Sequence, residues 1–136
     1  MEERRANIRR HDGRTLIAAA CAAFAGIAHA CELPPGTRVE SAHVEVSYRT
    51  IPAQIAVGQP FVLDLAACSK QGPLPDRIRL DAHMPEHRHG MNYRATVVPQ
   101  GAGRFHSEGW LFHMPGRWEF IFDLGSERLT HSVRVE

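Results

Sequence analysis

The 136-residue sequence predicts an all-β fold, a β-sandwich of about seven antiparallel strands. Three observations predict it. Apolar and polar residues alternate along most of residues 43–136, which is the period of a half-buried strand. Turn-forming stretches such as "KQGPLPD", "PQGAG" and "LGSE" separate the alternating segments. After residue 30, no ten-residue stretch has helical periodicity without an interrupting proline or glycine.

The first thirty residues are predicted to be a signal peptide that is removed. "MEERRANIRR" is arginine-rich, the thirteen residues of "LIAAACAAFAGIA" are apolar, and "AHA" places small residues just before Cys31. This is the layout of a secretory signal, with cleavage after Ala30. A membrane anchor is the alternative, but a bilayer span needs roughly 20 apolar residues. We therefore expect a periplasmic or secreted domain over residues 31–136, exported by the Sec or the twin-arginine route.

The seven predicted strands follow in order from their apolar phase. They are "AHVEVSY", "PFVLDLAAC", "RIRLDAHM", "MNYRATVV", "GRFHSEGWLFHM", "RWEFIFDL" and "ERLTHSVRVE". In the first four, the residues expected to face inward are Val44, Val46 and Tyr48, then Phe61, Leu63 and Leu65, then Ile78, Leu80, Ala82 and Met84, then Met91, Tyr93, Ala95 and Val97. Each set shares one face because strand side chains alternate with a period of two.

The last three strands complete the predicted sandwich. Gly109 is expected to mark a bulge that shifts the inward phase of the fifth strand. The inward residues are Trp110, Phe112 and Met114, then Trp118, Phe120, Phe122 and Leu124, then Leu129, His131, Val133 and Val135. Seven short strands in about 100 residues favour an immunoglobulin-like sandwich.

Charge and cysteine content narrow the expected partners. Five of the 16 basic and three of the 15 acidic residues lie in residues 1–30, which leaves eleven and twelve and a net charge of −1. This balance argues against nucleic acid and anionic membranes as partners. Cys31 and Cys68 are the two cysteines of the exported part, and no C-x-x-C is present, so an oxidising compartment favours a disulfide between them.

The stretch "HMPEHRHGM", residues 83–91, carries three histidines and two methionines in nine positions. If successive strands alternate in direction, the connections after the third and fifth strands emerge at the same end of the sandwich. The first is this stretch, and the second contains "HMPGR". The residues expected to share that end are His83, Met84, His87, His89, Met91, His113 and Met114. His106 lies on the order of 20 Å from His113 along its strand and is not expected to join them.

Imidazole and thioether are neutral ligands that suit copper, with methionine favouring Cu(I) and histidine serving both Cu(I) and Cu(II). Calcium and magnesium prefer oxygen ligands, and Glu86 is the one carboxylate in this stretch. Zinc would accept the histidines but would give the three methionines no role. Core packing alone also explains the methionines, because they fall in the inward phase of their strands. His43, His106 and His131 are interpreted as structural.

The stretches "HMPEHRHGMNY" and "GRFHSEGWLFHMPGRWEF" together resemble the YtkA-like domain family, over roughly residues 54–135. Its members pair a methionine–proline motif after a middle strand with a "MPGRW"-type turn. The resemblance implies an exported immunoglobulin-like domain associated with copper handling or oxidase maturation, as in FixH-like relatives. It supports as motif residues Met84, His87, His89, Met91, His113 and Met114.

Together these features predict an exported copper-binding protein that buffers or delivers the ion, with a recipient metalloprotein as partner. The alternatives are a metal-free sandwich that recognises another protein, and a periplasmic protein that binds zinc. An enzyme is not expected, because no serine lies in a nucleophile-elbow context and no glycine-rich phosphate loop occurs.

Overall fold

The computed structural model describes residues 31–136, and the predicted signal peptide lies outside the described residues. The described part contains nine strands and no helix. The strands are β1 Thr37–Glu40, β2 Val44–Ile51, β3 Pro60–Ser69, β4 Arg79–Met84, β5 His89–Gly90, β6 Thr96–Gly101, β7 Arg104–Leu111, β8 Gly116–Asp123 and β9 Arg128–Val135.

The strands form two antiparallel sheets. One has the order β1-β2-β3-β7-β6, and the other has the order β5-β4-β8-β9. Apolar side chains of both sheets form one buried cluster. The all-β class is confirmed, and the arrangement is consistent with the predicted β-sandwich.

The predicted inward phases account for most of this core. The residues of the predicted inward sets that are buried are Val44, Val46, Tyr48, Phe61, Leu63, Leu65, Ile78, Leu80, Ala82, Met84, Trp110, Phe112, Trp118, Phe120, Phe122, Leu124, Leu129 and Val135. Phe112 and Trp118 stack with their ring centroids 4.3 Å apart. Period-two alternation therefore located the core correctly, because each strand buries one face against the other sheet.

The bulge expected at Gly109 is confirmed. Phe61 pairs with Trp110 and Leu63 pairs with Ser107, so two residues of β7 lie opposite one residue of β3. Gly109 has a φ of 86°, a left-handed conformation that glycine adopts without steric cost. The extra residue moves the inward phase from Ser107 to Trp110, as predicted.

The prediction of a strand over residues 91–98 is wrong in its first half. The strand β6 begins at Thr96, and Tyr93, which was expected to face inward, is 60% exposed. Residues 91–95 connect β5 in one sheet to β6 in the other, so this segment cannot continue either ladder. The short strands β1 and β5 were not predicted, since four and two residues carry too little periodicity to be recognised.

Cys31 and Cys68 lie at disulfide distance, with their Cα atoms 5.7 Å apart, which confirms the predicted pairing. Cys31 precedes β1, and Cys68 lies near the end of β3. The bond therefore ties the start of the described chain to a central strand. No helix among residues 31–136 has the length and hydrophobicity to cross a membrane.

Candidate metal site

The β4–β5 hairpin positions two of the predicted ligands. Its turn is closed by Met84, whose carbonyl oxygen accepts hydrogen bonds from the backbone N–H groups of His87 at 3.2 Å and Arg88 at 2.9 Å. Arg88 adopts a φ of 56°, in the left-handed region. This conformation reverses the chain within four residues, so that His89 returns to pair with Met84. His87 is thereby held at the exposed tip and His89 at the start of β5.

The connection between β7 and β8 supplies the second part of the site. It begins at Phe112, whose carbonyl oxygen accepts a hydrogen bond from the N–H of Gly58 at 2.8 Å. Further along, the carbonyl of Met114 accepts a hydrogen bond from the indole Nε1–H of Trp118 at 2.9 Å. These two bonds fix the backbone on both sides of His113.

Three imidazole rings come together where the two connections meet. His89 lies between the others, with its ring centroid 5.8 Å from that of His87 and 5.2 Å from that of His113. An imidazole nitrogen binds an ion such as zinc at about 2 Å, so the ring centroids of two ligands on one ion lie about 5 Å apart. The observed spacings are close to this value.

Trp118 supports two of these rings from below. Its centroid lies 5.9 Å from that of His89 and 5.5 Å from that of His113, both in edge-to-face geometry. Trp118 itself is fully buried. Because the indole cannot move without disturbing the core, it restricts the orientations of both imidazoles.

Two nitrogens of the cluster are free to bind a metal. The Nδ1 of His89 lies 3.0 Å from the carbonyl oxygen of Gly90. A carbonyl oxygen can only accept, so this nitrogen carries the proton and Nε2 keeps its lone pair. The Nδ1 of His113 is buried and is the single buried side-chain N or O atom of residues 31–136 without a hydrogen-bond partner. An unpaired buried polar atom is costly, and a metal ion would satisfy it.

The remaining predicted ligands lie at different depths around this cluster. Met84 is fully buried, and a Cβ at Gly116 would lie 2.9 Å from its methyl carbon, so the thioether end reaches the β7–β8 connection. Met114 is half-buried against the core. Met91 follows β5 and lines a groove beside β4.

His83 points to the opposite face of β4 from Met84, where its Nε2 lies 3.2 Å from Glu119 Oε1. Glu86 is engaged by Arg117, at 3.3 Å. The carboxylates near the cluster are therefore paired with cationic or imidazole groups. Among residues 31–136, no three His, Cys, Asp or Glu side chains stand in an arrangement that could already hold a metal ion. The three rings would have to turn toward a common point to bind one.

The other described histidines have partners elsewhere on the molecule. His43 contacts Glu127 at 2.7 Å, and His131 contacts the hydroxyl of Tyr48 at 2.7 Å. His106 lies between Asp64 and Glu108 on the outer face of the larger sheet. The pKa of His106 is raised because its imidazole donates a hydrogen bond to the Asp64 carboxylate, and a second hydrogen bond to Glu108 adds to the effect. These contacts agree with the structural interpretation of the three histidines.

Two residues of the site were not recognised as such from the sequence. Trp118 was predicted as a core residue, and nothing in its phase indicated contact with both imidazoles. Gly116 was not singled out. A "PG" pair after a strand did signal a turn, but the approach of Met84 to that turn depends on how the two connections fold.

Comparisons of the chain with protein-family models, with curated proteins and with solved structures found no match. The resemblance to the YtkA-like domain family therefore depends on the two quoted motifs alone.

Proposed function

We propose that the protein binds one copper ion between the β4–β5 hairpin and the β7–β8 connection, and that it buffers or delivers this ion. The observation that carries the proposal is the pair of free nitrogens on adjacent rings, Nε2 of His89 and the buried Nδ1 of His113. His87 is the third imidazole, and Met84 is a fully buried thioether whose methyl end reaches the β7–β8 connection.

The donor set favours copper over zinc. Neutral imidazole and thioether groups suit copper in both oxidation states, whereas zinc in proteins is held by imidazole, thiolate or carboxylate. The described cluster has no thiolate, because Cys31 and Cys68 are paired with each other. The carboxylate of Glu86, in the β4–β5 turn, and that of Glu119, on β8, are occupied by other partners. Zinc binding remains the second candidate and is separated from copper by the experiment below.

The exposures of the three rings suggest how an ion would enter and leave. His87 is exposed, His89 is half-buried, and the Nδ1 of His113 is buried. An ion captured by His87 could be passed inward by exchanging one ligand at a time. Release to a recipient metalloprotein would follow the reverse order. Binding requires neutral imidazoles, so affinity should fall in mildly acidic solution.

The proposal is tested by competition of the purified protein against a colorimetric Cu(I) chelator and, separately, a Cu(II) chelator, with zinc as the comparison ion. We expect one copper per chain. The double variant His89→Ala/His113→Ala should weaken binding at least a hundredfold, because it removes both free nitrogens. Met84→Leu should weaken Cu(I) more than Cu(II), since leucine keeps the apolar volume but lacks sulfur.

The matched control is His43→Ala/His106→Ala, which also removes two histidines but from other surfaces. It should bind copper like the wild type. If the protein binds copper no more tightly than zinc, the assignment of copper as the metal is rejected. Equal binding by the two double variants would reject the site.

The cellular location, the fold type and the family are also part of this proposal. An immunoglobulin-like domain exported to the periplasm, with residues 1–30 removed, fits the arginine-rich and apolar start of the sequence and the pairing of Cys31 with Cys68. The function is binding rather than catalysis. The resemblance to the YtkA-like domain family supports this proposal, through that family's association with copper handling.

A further inference from the structure

The outer edge of β4 is only partly covered. On one side, β4 pairs with β8 from Arg79 to His83. On the other side, β5 pairs only with His83 and Met84. Along residues 79–82, the described chain supplies no strand on that side. An unpaired strand edge is a template for the addition of another strand.

The backbone groups of this edge point outward. The N–H of Ala82 donates to the carboxylate of Asp81 at 2.8 Å. Its carbonyl oxygen lies 3.3 Å from the position a Cβ would take on Gly90, which is in β5. Both groups therefore face away from β8. Because strand backbone groups alternate in direction, the N–H and C=O of Leu80 face the same open edge.

A groove of about 600 Å³ runs along this edge. Residues 90–97 form its other side, and Leu80 and Ile121 contribute apolar surface. The volume lies within the range of ordinary ligand pockets. Tyr93 lines the groove and is 60% exposed, a large aromatic side chain with no cover from the described chain.

The charges around the groove favour an acidic occupant. Arg79 and Asp123 neutralise each other, with 2.7 Å between Nη2 and Oδ2. The carboxylate of Asp81 accepts a hydrogen bond from a backbone N–H and keeps its charge, but the three arginines of the groove outnumber its two aspartates. Arg94 and Arg128 also line the groove, and neither has an ion-pair partner among residues 31–136. Two unpaired guanidinium groups would pair with carboxylates on a bound segment.

We propose that this groove docks an extended, acidic segment of another protein, which adds as a strand along residues 79–81 of β4 and pairs with the N–H and C=O of Leu80. The added strand would be collinear with β5 and would stop where Gly90 and Met91 of this chain begin to occupy the edge of β4. His89 is the next residue, so the partner would be placed beside the candidate metal site. The docking surface itself does not depend on copper. Such backbone pairing with side-chain pockets is an established mode of peptide recognition.

The test begins with selection from a random heptapeptide display library on the purified protein, in its metal-free and copper-loaded forms. We expect the enriched peptides to alternate β-branched residues with Asp or Glu. A selected peptide should slow hydrogen exchange of the Leu80 amide at least tenfold. Arg94→Glu/Arg128→Glu should lower the affinity for the peptide at least tenfold. The matched control is Arg104→Glu/Arg134→Glu, which reverses the charge of two exposed arginines outside the groove. It should change the affinity for the peptide less than twofold.

Peptides that protect amides elsewhere, or no enriched peptide at all, would overturn the proposal. Equal effects of the two arginine pairs would also overturn it. Protection of Leu80 in the protein alone, rising with protein concentration, would assign the edge to a second copy of the chain instead. Docking and copper binding fail separately: peptide binding without copper binding would leave a metal-free recognition module, whereas copper binding without peptide binding would reject only the docking surface.

Discussion

Gly116 lies where the two connections of the candidate site meet, and its replacement by alanine should destabilise the fold. Its φ is 127°, a conformation in which a side chain is strained by about 1–3 kcal/mol. An added Cβ would also lie 2.9 Å from the methyl carbon of Met84, which is fully buried. Crowding of a buried side chain adds about 1 kcal/mol. We expect Gly116→Ala to lower the free energy of unfolding by about 2–4 kcal/mol.

Gly101→Ala separates strain from crowding. Gly101 also has a positive φ, 82°, but a Cβ there would meet nothing within 4 Å. Its replacement should therefore cost only the strain of a left-handed residue, about 1–2 kcal/mol. Urea unfolding followed by tryptophan fluorescence measures both values.

A double-mutant cycle with Met84→Ala isolates the contact. Met84→Ala alone should cost about 2–5 kcal/mol, because it empties a buried volume. In that background, Gly116→Ala should cost about 1 kcal/mol less than in the wild type, since the methyl group is gone. Gly101→Ala should cost the same in both backgrounds. If Gly116→Ala is as mild as Gly101→Ala and shows no coupling to Met84→Ala, the two connections do not meet as described.

Three further outcomes are expected. Replacing Cys31 and Cys68 by alanine should lower the free energy of unfolding by about 4 kcal/mol, because the unfolded chain regains the entropy of a loop with a sequence separation of 37 residues. A variant that is as stable in urea as the oxidised wild type would contradict this prediction. The pKa of His106 is raised by Asp64, so its contribution to stability should be complete below about pH 6.5 and be lost as the pH rises through the raised folded value. The stability gap between wild type and His106→Gln, measured by urea unfolding at pH 5.5 and 8.5, should therefore shrink as the pH rises, and a growing gap would refute the assignment. Mass spectrometry of the exported protein should find Cys31 at its N-terminus, and exported protein that retains residues 1–30 would exclude cleavage.

Most of the core could be predicted from the local alternation of apolar and polar residues. Phe61, Leu63 and Leu65 are buried because the period of a strand places every second side chain on the same face, whatever the neighbouring strand is. The Gly109 bulge was also visible locally, as a glycine at the point where the apolar phase shifts. Alternation failed at Tyr93, because the same local pattern occurs in a segment that crosses between the sheets and pairs with neither.

The sequence by itself determined which residue types gather at one end of the domain: alternating strand directions bring the connections after β4 and β7 together. Only the tertiary structure decided which side chains meet there. The rings of His89 and His113 are adjacent because a left-handed Arg88 turns the hairpin back, while His83 is directed to the other face and pairs with Glu119. Trp118 contacts the imidazoles of both His89 and His113 because of the way the two sheets pack. The period of a strand is a property of neighbouring residues, whereas contacts across 24 residues depend on turn conformation and sheet packing.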